Sequence, residues 1–465
     1  MKGGVSLQNI WVLAATLSFA SVARAVPPET TTVTDTTDPL APVTVPEVSD
    51  PMLAPPPNAP VNIDSWAQAL SFVRTRSPDY LSSYATIKRA EAQTRLALSS
   101  LLPVVTGTGS YSHNFFQLQI PFNGQTLVTP PPDNWTATAT ATWTPLNARA
   151  IYDYESTKRN VEATALSFDD KRRQIATSLV STMLATLSSR RVADLNRVGL
   201  RSALERLHLT EARLQFGQGT PLDVDRANAD VAAARRLIID GDESLRRARE
   251  ALAVAIGSHE PTAVSSTLDL EAFEQAVSRT CRLNDAIEHR PDVRAARERV
   301  LVSRRTVESA LLAPLPTFGV LSQATYMSEP VLAPNGIFAI EAILTIPFYD
   351  GGYRYGQLRD ARGAEDQAIQ ALEQARLNAI VSAAQAKRSV EVSRADRDVS
   401  KTERDLAQRI DLRTRDAYAR GRGTSLDLIT SAQALRLAEI NLAILEFQVA
   451  QAQADAVLEN AECTF

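Results

Sequence analysis

Cysteine is almost missing from this 465-residue chain, which has only Cys281 and Cys463. In an exported chain an even count permits one disulfide, here tying the C-terminal end to mid-chain; two free thiols are the alternative. Histidine is as scarce. His113, His208, His259 and His289 lie far apart with no ligand spacing, so no metal centre is expected. Glycine is low, at 18 residues. The short glycine motifs "GQGT" and "GRGT" lack the Lys of a phosphate-binding loop. No Ser-His-Asp order accompanies a strand-turn nucleophile. These absences argue against an enzyme and leave no cofactor and no nucleic-acid partner to expect. Long apolar runs are also missing after the first residues: no stretch of eighteen occurs, so no transmembrane helix is expected.

The N-terminus is the exception. Lys2 precedes an apolar core from about Ile10 to Val22, and Ala23-Arg24-Ala25 forms an A-x-A cleavage site. Residues 1–25 therefore read as a secretory signal peptide, too short in its apolar core to span a bilayer. No Cys follows the site, so no lipid anchor is expected. Removing Lys2 and Arg24 takes the formal charge from -4 to about -6. Residues 26–64 are rich in Pro, Thr and Val, with acids but no Lys or Arg. Such a segment cannot bury a core and reads as an extended or disordered strap.

What is abundant is Ala, Arg and Leu in the later part of the chain, a mixture suited to long helices. Ser65 can cap a helix, and Pro103 ends a second one. The period then changes to two over about 104–116 and 135–144, with Pro130-Pro131-Pro132 between. From Asn147 to about Phe216 a helical pattern persists for about 70 residues, or roughly 105 Å. "FGQGTPLDVD" then reverses the chain. Gly217 or Gly219 suits the left-handed position after a helix; Thr220, Pro221 and Asp223 suit the N-cap, first and third positions of the next helix.

Everything then repeats. "RPDVRAARERV" echoes "SPDYLSSYATI", "TIPFYDG" echoes "WTPLNAR", and "GRGTSLDLI" echoes "GQGTPLDVD". Pro78, Pro103, Pro145 and Gly219 find counterparts in Pro291, Pro316, Pro347 and Gly423. Four landmarks in one order at near-constant spacing indicate duplication. The chain divides into a first repeat at 65–260 (tip 217–223), an inter-repeat segment at 261–283, a second repeat at 284–462 (strands about 317–326 and 337–346, tip 421–427) and an end at 463–465.

The strands are unusual. In "NWTATATATWTP" Trp135, Ala137, Ala139, Ala141 and Trp143 share one face and Thr residues the other. Trp135 to Trp143 spans about 26 Å along a strand, near the apolar band of roughly 25 Å in a membrane barrel once tilted. Phe338, Ile340, Ala342, Leu344 and Ile346 form an apolar face that Phe348 extends, while Glu341 points the other way. Trp135, Trp143, Phe338 and Phe348 are the expected interface girdle. Four strands cannot close a barrel, and open edges are forbidden in lipid. Several chains must therefore share one barrel, or the sheet belongs to a soluble domain.

On "RPDV" with "AARERV", "LP" before the strand, "PFYDGG" after the hairpin and the paired tips, the chain resembles the TolC-like outer membrane efflux proteins over about Ser65 to Glu462. The resemblance implies a mainly α fold with a small β part. Long helical hairpins would form a trimeric periplasmic tunnel below a shared twelve-stranded antiparallel outer-membrane barrel, four strands per chain. It implies a homotrimer in outer-membrane lipid, a periplasmic adaptor and an inner-membrane pump of RND or ABC type. The function implied is an exit duct for small molecules such as drugs; type I protein secretion is the runner-up, and a trimeric coiled-coil adhesin is the rival of another class. Asp427 matches the family's acidic entrance, where three copies would raise one another's pKa. Thr430 stands where a second acid is frequent. Asp223 and Tyr418 match positions that latch the tips in the family, while its basic partner falls at Gly423 here with Arg422 the nearest substitute, so the expected latch is Asp223–Tyr418 or Asp223–Arg422. Gly217, Gly219, Thr220, Leu222, Gly421, Gly423, Thr424 and Leu426 are the candidate adaptor contacts; the glycines alternatively serve only the turn.

Overall fold

Helices and strands follow one plan twice. A computed structural model describes residues 48–122, 125–265, 270–283, 287–330, 334–459, 461–463 and 465. The expected signal peptide and the first part of the Pro/Thr-rich segment lie outside the described residues. The first pass comprises β1 (Val61–Ile63), α1 (Trp66–Arg76), α2 (Pro78–Ser99), β2 (Val104–His113), β3 (Leu118–Phe122), β4 (Gln125–Thr129), β5 (Asp133–Leu146), α3 (Ala148–Gln215) and α4 (Pro221–Ile256). The link contains β6 (Thr262–Val264), α5 (Leu270–Thr280) and β7 (Cys281–Leu283). The second pass is α6 (Pro291–Leu311), β8 (Thr317–Met327), β9 (Gly336–Thr345), α7 (Tyr353–Ala419) and α8 (Ser425–Glu459), followed by β10 (Ala461–Cys463).

Local chemistry sets the helix ends. The Ser65 hydroxyl accepts from the Gln68 N–H at 3.3 Å, and the Asn147 carboxamide oxygen accepts from the Ala150 N–H at 3.1 Å. Between Asn147 and the tip, α3 runs 68 residues without a proline, about 100 Å. A helix of that length cannot stand alone and needs packed neighbours. In its middle, Ile175, Ala176, Leu179, Val180, Met183, Leu184 and Leu187 fall on one face. That face meets Trp66, Leu70 and Val73 of α1, Leu252 and Ile256 of α4, and Ala454 and Leu458 of α8. Each fully buried Leu, Ile or Met there stabilises the fold by about 1.5–3 kcal/mol. Closer to the tips the contacts shrink. A Cβ on Gly241 would come 2.7 Å from the Asn196 amide nitrogen, and one on Gly199 would come 2.5 Å from Arg436 Cδ. Small residues thus let the long helices approach closely.

The end of the Pro/Thr-rich segment is a strap. Met52 and Leu53 pack on Leu200, Val231 and Ile238 of the α3–α4 hairpin. Asp50 pairs with Arg235 at 2.8 Å, and the Ala54 and Pro57 carbonyls accept from Arg197 and Arg249. β1 then pairs in parallel with β6.

The main sheet has the order β2-β5-β8-β9, antiparallel throughout, so the two repeats meet at β5–β8. Among the described residues neither β2 nor β9 has a second strand partner.

Two features depart from expectation. The first strand ends at His113, and β3 and β4 form a separate hairpin inside what was read as the loop between the strands. Second, α8 is long and apolar enough by composition to cross a membrane, where no such helix was expected. Arg436, Glu439 and Glu446 interrupt its apolar stretch. The helix instead lies against α3, α4 and α7, with Ala438, Ala443, Ala450 and Ala454 buried.

Candidate functional site

The two tips are built alike. After α3, the Gly217 N–H bonds the Leu214 carbonyl at 3.0 Å and the Gln218 N–H bonds the Arg213 carbonyl at 2.8 Å. This closure needs positive φ at the residue after the cap, and Gly217 has +69°. After α7, Gly421 and Arg422 repeat the bonds to Tyr418 and Ala417, with Gly421 at +72°. Gly219 and Gly423 are glycine for another reason: an added Cβ would lie 3.2 Å and 3.1 Å from the Leu214 and Tyr418 nitrogens. The turn alone accounts for all four.

Thr220 and Asp223 form a capping box at the start of α4, with bonds of 3.3 Å and 3.1 Å. Thr424 and Asp427 copy it with 3.2 Å in both directions. Leu222 and Leu426 stand exposed beside these boxes, and Phe216 is 80% exposed. Phe216 was passed over in the sequence because it reads as the last residue of a helix face.

The latch differs from the expected one. Asp223 takes its cross-hairpin hydrogen bond from the Ser425 hydroxyl, not from Tyr418 or Arg422. Tyr418 is already engaged: the Arg213 guanidinium sits 4.1 Å over its ring and donates to its carbonyl at 2.6 Å. Arg422 lies exposed in the turn and forms no ion pair with Asp223. Ser425 wins because it opens α8 directly beside the start of α4. Bonds from Ser425 and Thr220 hold the Asp223 carboxyl below the usual carboxylate range. One level higher, Asp230, 2% exposed, is held by Arg206 and by the Gln433 amide at 2.9 Å. Toward the tips, Asp223–Ser425, Arg213–Tyr418 and Asp230–Gln433 thus join the two hairpins of one chain. Ser425 and Arg213 were missed in the sequence. The signal for Ser425 was the single difference between "TPLD" and "TSLD".

Asp427 is fully exposed, and the Thr424 hydroxyl and then its N–H hold the carboxyl below its ordinary value. Within one chain the shift is thus opposite in direction to that expected from three crowded copies, because capping is the local influence.

The sheet has two chemically distinct faces. Register places Tyr111 beside Trp135, Ala139 beside Ala324 and Ala324 beside Phe338. Directly paired residues share a face, so the Trp135–Trp143 row and the Phe338–Leu344 row lie on one side. The opposite side carries Thr106, Thr138, Gln323, Thr325 and Glu341. Trp135 and Trp143 mark the ends of the apolar face. Phe338 is in hydrogen-bond register with Ala324 and, through it, Ala139, and lies close to the Gly336 end of β9. Tyr111 is paired with Trp135, and Tyr326 with the adjacent same-face residue Ala137. Phe348 lies past the end of β9, 90% exposed.

Cys281 and Cys463 form a disulfide, both buried in the central core where β7 pairs with β10. Among the described residues no group of His, Cys, Asp and Glu is placed to hold a metal ion.

The family model for the outer membrane efflux protein matches residues 69–258 and 283–456. The chain is 25% identical over 312 residues to the fusaric acid resistance protein FusA of Burkholderia cepacia, covering 64% of this chain and 57% of that protein. It is 24% identical to the pyoverdine export outer membrane protein OpmQ of Pseudomonas putida, covering 65% and 66%. The matches thus span less than two thirds of either relative. Among solved structures, CusC superposes with a TM-score of 0.71 at 17% identity, covering 89% of this chain and 98% of that one. The Campylobacter jejuni CmeC outer membrane channel gives 0.72 at 16%, covering 84% of each.

Proposed function

The chain belongs to the outer membrane efflux protein family, and from that premise we propose that it is the outer-membrane exit duct of a tripartite efflux system. Its place is the outer membrane of a Gram-negative cell, reaching into the periplasm, and its family and fold are those of channels. The observation that carries the reading is the open four-stranded sheet. One face is apolar, the other carries Thr, Gln and Glu341, and among the described residues neither edge strand has a further partner. Exposed backbone edges are not tolerated in lipid, so the sheet is completed by further copies, three giving twelve strands. α3, α4, α7 and α8 then line a tunnel whose narrow end is the tips.

Asp427 from three copies makes the entrance electronegative and favours cations. Asp223 and Ser425, with Arg213 and Tyr418, keep each chain's two hairpins together in the closed tunnel. Phe216, Leu222 and Leu426 supply apolar contacts for a periplasmic adaptor, which bridges to an inner-membrane pump. The cargo is small molecules; the names of the relatives, concerning fusaric acid and pyoverdine, support that class. Heat-resistant trimers in outer-membrane fractions, with an adaptor copurifying, are the expected result. A monomer in the soluble fraction would end the reading. An adaptor belonging to a protein-secretion pump would reassign the cargo.

A further inference from the structure

The side chains that join the two hairpins lie beside a residue that none of them uses. Arg436 of α8 is 9% exposed and sits between the hairpins. Its stem crosses α3 at Gly199, where an added Cβ would come 2.5 Å from Arg436 Cδ and 3.4 Å from Nη1. Among the described residues the guanidinium donates no hydrogen bond and enters no ion pair, and its buried Nε has no partner. Asp230 of α4 attracts it, but both carboxylate oxygens are already engaged, Oδ2 by Arg206 and Oδ1 by the Gln433 amide at 2.9 Å. Arg206 of α3, itself buried, repels it. Glu439, three residues further along α8, feels the cations of Arg404, Arg191 and Arg415 instead. Two buried guanidiniums thus share one buried carboxylate.

A buried charge without a partner is costly, and an apolar side chain between packed helices is the more stable choice. Gly199 adds to the cost, because glycine inside a helix is less favourable than alanine; here it makes room for the arginine stem. Water would supply the missing hydrogen bonds of the guanidinium, and water reaches it when α7 and α8 swing away from α3 and α4. We propose that Arg436 is an opening residue of the tunnel: its buried charge destabilises the closed arrangement of the two hairpins and is relieved when they part. It opposes Asp223–Ser425, Arg213–Tyr418 and Asp230–Gln433, which lie nearer the tips. The closed tunnel is held by one set of side chains and pushed by another. A partner at the tips can shift this equilibrium only by its differential affinity for the two states, so a gate poised in this way needs little from the partner to open.

The inference rests on the duct reading and is tested apart from it. Trimers of the full chain are recorded in planar bilayers, and their thermal melting is followed in detergent. Leaving a buried donor unsatisfied corresponds to roughly five- to a hundredfold in an equilibrium. Arg436→Met, which puts a flexible apolar chain of similar helix preference at the site, should lower the open-to-closed ratio by about that factor and raise the melting temperature. Arg436→Gln is the second neutral variant, with the same expected direction, should the first fail to assemble. Where resting openings are too rare to count, the change is made in Ser425→Ala, whose raised opening Arg436→Met should reduce. Unchanged or increased opening, or a lowered melting temperature, overturns the inference and shows that the guanidinium finds an anionic partner in the assembled tunnel; the duct reading then stands. An unsubstituted chain that forms no conducting trimer overturns the duct reading and the inference with it.

Discussion

Removing the Ser425 hydroxyl is the sharpest perturbation of the proposed gate. Ser425 is 3% exposed and donates to the Asp223 carboxylate across the two hairpins. A hydrogen bond to a charged group contributes about 1.5–3 kcal/mol. With each 1.4 kcal/mol worth about tenfold, Ser425→Ala should shift the linked-to-unlinked ratio of each chain roughly ten- to hundredfold toward unlinked. Asp223 also caps α4, so Asp223→Ala confounds the latch with about 1 kcal/mol of lost capping; Ser425→Ala leaves that box intact. Single-channel recording in planar bilayers should show a higher open probability for Ser425→Ala. Ser425→Thr, which keeps the hydroxyl, should restore the resting level. Tyr418→Phe should change little, because the phenol makes no bond to Asp223. Trimers of Ser425→Ala that gate like the unsubstituted channel would refute the reasoning, and a large effect of Tyr418→Phe would move the latch to the tyrosine.

Asp223 has a depressed folded pKa, so its link contributes at neutral pH and is lost as pH falls below 3.8 through the lowered value; opening should therefore rise under strong acid in the unsubstituted channel and not in Ser425→Ala. Burial pushes the Asp455 carboxyl up to about 6. That raised value means stability is gained on acidification and lost as pH rises through about 6. Asp455→Asn should raise the neutral-pH melting temperature and flatten its pH dependence, and an unchanged profile would count against the assignment. Cys281 and Cys463 are 182 residues apart, so in the chain-entropy picture losing the bridge costs about 5 kcal/mol; Cys463→Ser should lower the urea midpoint, and an unmoved midpoint would show the bridge absent or energetically idle. Asp427→Ala should reduce cation selectivity and block by divalent cations, visible as a shift in reversal potential under a salt gradient.

Much of this architecture was legible from residue periodicity. The long α3, the tips and the duplication are carried by local signals: proline-free helical repeats, Gly217 and Gly421 after helices, and "TPLD" and "TSLD" capping boxes. The two sheet faces were legible because a period of two is a local property of "WTATATATW". The girdle was harder, since the place of Phe338 depends on pairing with Ala324 and Ala139, strands far away in sequence. The latch failed for the same reason. Asp223 had several candidate partners at the facing tip, and choosing Ser425 over Tyr418 needed the relative placement of two helix ends and the prior engagement of Tyr418 by Arg213. The disulfide was open on the sequence because spacing alone cannot distinguish paired from free thiols, whereas β7 against β10 brings the two cysteines face to face. The β3–β4 hairpin was missed although Leu118, Ile120 and Phe122 alternate with Gln119 and Pro121, because the stretch was read as part of the loop that holds Pro130-Pro131-Pro132.

The most direct measurement of the central claim is export by the intact cell. With the gene for this chain deleted from its host, intracellular accumulation of a fluorescent drug should rise, and restoring the full chain should return it to the original level. Restored outer-membrane trimers that leave accumulation of every tested small molecule unchanged would contradict the account.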